Sequence, residues 1–151
     1  INDNYENIIR LITNLKQDLG ESFIISLSPV AEAIFSNDKY GGLSGFNYNE
    51  LILQSEYGHF VNGLNVQFYN GWGNLDDIKQ YEQCITEQGY ESNKLVAGML
   101  NTMESESTHI EYTINRLSSQ FGDKFGGVYV WNGNDVDTIK WSKYMYRLMH
   151  Q

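Results

Sequence analysis

Residues 65 to 73 read Asn65-Val66-Gln67-Phe68-Tyr69-Asn70-Gly71-Trp72-Gly73, and this stretch decides the fold. Val66 and Phe68 alternate with Gln67 and Tyr69, the period of two by which a strand sends one parity to an apolar layer and the other elsewhere. An amide and a phenol therefore share the second face at the end of the strand. Asn-Gly and a Trp between two glycines follow, and they let the backbone turn sharply. The stretch reads as the rim of a sugar-binding cleft, although a buried strand closing in a tight turn accounts for the same letters.

Working outward, three further apolar runs have strand character. Ser22 to Ser28 (SFIISLS) is β-branched and stops before Pro29, which predicts a buried strand. Lys94 to Leu100 (KLVAGML) and Phe125 to Trp131 (FGGVYVW) are the third and fourth, with Trp131 as the last strand residue. Between them the apolar spacing turns helical. Ile8, Leu11, Ile12, Leu15 and Leu19 mark one side of a helix from Tyr5 to Leu19, with Gly20 at its exit. Asn47 and Glu50 have the spacing of a capping box and open a helix to about Tyr57. Asn74 with Asp77 starts another that stops at Gly89, and a fourth runs from Ser107 to Phe121. Asp135 is the expected cap of a last helix bearing Ile139, Tyr144, Met145 and Leu148. Val30 to Phe46 reads as a loop with one short helical turn.

Strand and helix alternate, which predicts an α/β chain with a parallel sheet. The later strands begin about 31 to 32 residues apart, close to one eighth of the ~250 residues of a closed (β/α)8 barrel, so four strands make half of one. A small open doubly wound sheet is the alternative. No G-x-G-x-x-G or G-x-x-x-x-G-K-S/T follows any strand, which weakens a nucleotide-binding version of it.

The chain of 151 residues has no Pro- or Ser/Gly-rich linker and is expected to be a single domain over 1–151. A formal charge of -9, with 10 scattered basic residues among 19 acids, argues against a phosphate-binding surface built on clustered Lys and Arg, so no nucleic-acid partner is expected. No apolar run approaches the ~18 residues of a membrane span, and no membrane partner is expected either. Cys84 stands alone in a helical pattern as a small core residue. His59, His109 and His150 lack ligand spacing, so neither a metal nor a cofactor is implied. Glu104, Glu106, Asp76 and Asp77 sit at helix starts, where carboxylates suit the macrodipole.

In both architectures ligands meet the C-terminal ends of the strands. Those ends carry Ser28 and Pro29, then Gln67, Tyr69, Asn70 and Trp72, then Asn101 and Met103, then Trp131 and Asn132. The rim is polar and aromatic, with no carboxylate at a strand end.

The segments V-Q-F-Y-N at 66–70 and F-G-G-V-Y-V-W at 125–131 resemble the sixth and eighth strands of glycoside hydrolase family 18, which includes chitinases and endo-β-N-acetylglucosaminidases. Gln-Phe-Tyr-Asn is similar to the plant hevamine type and to fungal chitinases. Phe23 to Pro29 resembles the fifth strand, Tyr40 to Tyr48 the loop after it in fungal members, and Leu95 to Asn101, more loosely, the seventh. The family's D-x-x-D-x-D-x-E signature, which bears the proton donor, is absent. Ile1 to Gly20 looks like the helix that follows the signature strand, and the first residue is not Met. The expectation is therefore the C-terminal half of a family 18 barrel whose N-terminal half is missing from this chain.

The resemblance implies a retaining, substrate-assisted hydrolysis of β-1,4 linkages between N-acetylglucosamine units, in which the sugar's own acetamido oxygen attacks the anomeric carbon. Tyr69 would hydrogen-bond that oxygen, and Trp131 would lie under the same sugar. Gln67, Asn70 and Asn101 would add polar contacts, and Trp72 a platform for a neighbouring sugar. The implied partners are chitin or N-acetylglucosamine oligosaccharide, together with the missing half or a second copy. Secretion fits the resemblance, and the residues leave the compartment open. A non-catalytic chitin- or glycan-binding protein and an α/β interaction module are the alternatives.

Overall fold

The computed structural model describes residues 3–36, 44–100 and 107–150. Its centre is a four-stranded sheet of β1 (Ser26–Leu27), β2 (Gly63–Gln67), β3 (Leu95–Met99) and β4 (Val128–Val130). All three pairings are parallel, and the spatial order is the chain order, β1-β2-β3-β4. Right-handed crossovers between strands laid down in one direction put every intervening helix on the same face. A doubly wound sheet needs a reversal of order to cover its second face, and there is none, so the architecture is half of a (β/α)8 barrel.

Burial follows that asymmetry. Leu64, Val66 and Phe68 of the β2 segment and Leu95, Ala97 and Met99 of β3 are buried beneath the helices. Of the opposite parity, Asn65, Gln67 and Tyr129 are only half-buried. Among the described residues, five α-helices cover the first face: α1 (Asp3–Leu19), α2 (Ala31–Phe35), α3 (Lys79–Thr86), α4 (Ser107–Phe121) and α5 (Thr138–Met149). Tyr81 of α3 is fully buried and rings itself with Phe68, Phe121 and Phe125. Its hydroxyl donates to Leu95 O at 2.9 Å, tying α3 to the start of β3.

Several expectations are corrected. The first strand is two residues long, and Ile24, in the middle of the predicted buried run, is 74% exposed. That segment is held instead by Lys16, whose buried ammonium donates to Glu21 O at 2.9 Å and Phe23 O at 2.6 Å, a cation satisfying carbonyls just past a helix C-terminus. Leu11 and Leu19 on α1 are exposed, as is Ile139 on α5, where Trp141 takes the buried position.

Asn47 does cap, accepting from Glu50 N at 3.0 Å, but the long helix expected to follow is a single wide turn over Glu50–Gln54 closed by Ser55 N donating to Glu50 O. α3 starts at Lys79 rather than Asn74, because Asn74 and Asp77 accept from Asp76 N and Lys79 N, each two residues on, as turn formers. The cap of α5 is Asp137, which accepts from Lys140 N, not Asp135. The side-chain expectations at Asn101, Met103, Glu104 and Glu106 lie outside the described residues.

Candidate active site

The C-terminal ends of β2, β3 and β4 converge on one aromatic pair. Tyr69, two residues past β2, and Trp131, one residue past β4, place their ring centroids 6.2 Å apart at 32°. The register explains the meeting: Gln67 pairs with Gly98 and Gly98 with Tyr129, so the next residues of the same parity, Tyr69 and Trp131, form the layer above. Trp131 N donates to Met99 O at 2.8 Å, which carries the pairing one residue beyond β4. Trp131 is 57% exposed, so its indole presents a face to solvent at the mouth of the sheet.

Tyr69 is 7% exposed, and its hydroxyl is buried without a well-formed hydrogen bond. An unpartnered buried phenol is costly, of order 1–3 kcal/mol, and groups left in that state concentrate where a ligand completes them. Its polar neighbour is the Tyr129 hydroxyl, whose pKa burial, and then the proximity of Tyr69, push well above the ordinary phenol value. The Tyr129 phenol is therefore neutral near pH 7.

The other rim residues divide. Gln67 is half-buried, and its amide nitrogen donates to Ser28 O at 2.7 Å, so it bridges β2 to the end of β1. Asn65 does the same one layer down, donating to Ser26 Oγ at 3.3 Å. Asn70 has φ 56° and Gly71 φ 81°, and Trp72 N donates back to Tyr69 O at 3.1 Å, which makes residues 69–72 a type I′ turn. That turn is why Asn-Gly stands here: it reverses the chain directly after Tyr69 and fixes the tyrosine backbone. Asn70 itself is exposed.

Trp72 is 37% exposed and lines a shallow recess with Glu32, Phe35, Asn74 and Gln80. Its carbonyl accepts from Glu32 N at 3.0 Å, joining the turn to α2. Gln67, Tyr69 and Trp131 thus come together, Trp72 flanks them, and Asn101 lies outside the described residues. Two neighbours of the pair escape a reading of the sequence. Tyr129 shares the parity of Trp131, a signal present in the alternation of V-Y-V-W, and Gly98 lies under its ring.

Two of the histidines make local contacts. His59 Nδ1 lies 2.6 Å from Glu56 O, and His150 stacks on Tyr146 at 4.1 Å. The Cys84 thiol is buried, and burial pushes its pKa up to about 12.

No protein-family model and no curated protein matches the chain. Among solved structures it is similar to a fungal endo-β-N-acetylglucosaminidase from glycosyl hydrolase family 18, with 32% identity and a TM-score of 0.80 over 96% of this chain and 52% of that one. It is also similar to a chitinase from Aspergillus fumigatus, with 34% identity and a TM-score of 0.70 over 95% of this chain and 53% of that one. The chain thus spans about half the length of each protein that it matches.

Proposed function

From a chain that has the sequence and fold of the C-terminal half of a glycoside hydrolase family 18 barrel, we propose that this half positions an N-acetylglucosamine residue for retaining, substrate-assisted hydrolysis. The observation that carries the reading is the buried Tyr69 hydroxyl lacking a well-formed hydrogen bond beside the exposed Trp131 face.

A sugar set on the indole presents its apolar face to Trp131, and its acetamido group reaches the Tyr69 hydroxyl, which has no well-formed bond among the described residues. Tyr69 holds the acetamido oxygen in line with the anomeric carbon, a positioning contribution that strengthens as the oxygen takes on the developing bond. That oxygen forms the new bond to the anomeric carbon while the glycosidic oxygen leaves. The departing oxygen needs a proton, and the glutamate that would supply it belongs to the signature absent from this sequence. Catalysis accordingly requires the complementary half of the barrel. Substrates are chitin or N-acetylglucosamine oligosaccharides. Gln67 shapes the floor of the site through Ser28, and Trp72 and Asn70 extend the rim toward a neighbouring sugar.

In the complete barrel, Tyr69→Phe lowers kcat by about 10²-fold with KM nearly unchanged, because the lost interaction is made mainly in the transition state. Steady-state kinetics on N-acetylglucosamine oligomers measures this. Equal kcat in the Phe variant removes Tyr69 from the mechanism, whereas glycan binding without turnover in the complete barrel supports the lectin alternative.

A further inference from the structure

Tyr129 points to the same side of the sheet as Trp131, and its ring crosses β3 at Gly98. A Cβ on Gly98 would stand 2.3 Å from Tyr129 Cζ and 2.4 Å from its hydroxyl oxygen, so the phenol occupies the volume that any other residue at 98 would fill. The ring therefore reaches from β4 to β2, where its hydroxyl donates to Asn65 O at 3.2 Å. By register it lies in the Gln67 and Gly98 layer, directly beneath the layer of Tyr69 and Trp131.

We propose that Tyr129 is a positioning residue for Tyr69, with Gly98 as the seat that its ring requires. The ring fills the space into which the Tyr69 side chain would otherwise drop. Its hydroxyl hydrogen is engaged by Asn65 O, so it turns lone pairs rather than a competing hydrogen toward its neighbour. The Tyr69 hydrogen, resting against those lone pairs in the free fold, exchanges that loose contact for the acetamido oxygen of the sugar. This rests on the reading of Tyr69 given above, and it assigns to β3 and β4 a task that reading leaves open: a glycine and a tyrosine that together set the height of the donor.

A double-mutant cycle in the complete barrel tests it. Tyr129→Leu is expected to lower kcat about ten-fold or more with KM little changed, since displacing a positioned group by about 1 Å can cost up to ~10²-fold. Gly98→Ala, which pushes the ring off its seat, is expected to do the same. In a Tyr69→Phe background neither change should lower kcat further, because a residue that acts through Tyr69 has nothing left to position. Full additivity, or unchanged kcat in Tyr129→Leu and Gly98→Ala, overturns the proposal. If the Leu variant does not fold, the same cycle with Tyr129→Phe, which keeps the ring and loses the Asn65 anchor, decides by the same criterion. Should Tyr69→Phe itself leave kcat unchanged, the catalytic reading fails first, and the positioning proposal falls with it.

Discussion

Tyr69 and Tyr81 are both nearly inaccessible phenols, and the fate of one hydroxyl separates them. Tyr81 donates to Leu95 O, whereas Tyr69 lacks a well-formed bond. A net hydrogen bond is worth about 1 kcal/mol, and an orphaned buried acceptor costs about 1–3 kcal/mol, so Tyr81→Phe should destabilise the fold by about 1–2 kcal/mol in urea unfolding. Tyr69→Phe removes a hydroxyl that makes no well-formed bond among the described residues. It should be neutral or slightly stabilising by the same measurement, and a loss as large as that of Tyr81→Phe would mean that Tyr69 is a structural residue. Cys84 illustrates the inert extreme: buried, with its thiol raised to about 12, it should react with a thiol reagent near pH 8 only after unfolding.

At the scale of elements, local chemistry and distant packing divide what the sequence makes legible. α4 has the predicted bounds, Ser107–Phe121, because its apolar spacing is strong and Gly122, at φ 52°, ends it. The parity of residues 66–69 is equally readable, and with it the aromatic rim. The wide turn at Glu50–Gln54 is not, since its cap is real and only packing decides how far a helix continues. The first strand is shorter than its letters suggest for a related reason. Its β-branched run looks buried, but β1 has a single neighbour among the described strands and little to pack its outer residues against. Tyr129 stays hidden because no local signal says which glycine its ring will cover.

A similar close approach governs the start of β4. A Cβ at Gly126 would stand 2.2 Å from Leu95 O, a backbone atom that cannot swing aside. Gly126→Ala is expected to cost about 2–4 kcal/mol and to loosen β4 from β3. Hydrogen exchange should then show faster opening at Ala97 and Trp131, whose amides bond Gly127 O and Met99 O between the two strands, while unchanged exchange and stability would contradict the argument.

For the whole molecule the consequence lies at the flanks. β1 and β4 each have one neighbour among the described strands, and unpaired strand edges recruit other strands. The outermost helices in sequence, α1 and α5, keep Leu11, Leu19, Ile139 and Tyr146 exposed. The uncovered sheet face is less apolar than a barrel interior would suggest, with Asn65, Gln67 and Tyr129 on it. Edges and helix flanks therefore drive association more than that face does. The chain by itself should self-associate in sedimentation, reversibly and with concentration, and should become a discrete species when the complementary half is supplied. A cooperative monomer at high concentration would contradict this.

The most direct test of a half site is turnover. Purified chain assayed on N-acetylglucosamine oligomers should give no measurable hydrolysis, and addition of the complementary half bearing the acid should restore it. Turnover by the 151-residue chain alone, at a rate near that of an intact family 18 enzyme, would contradict the account.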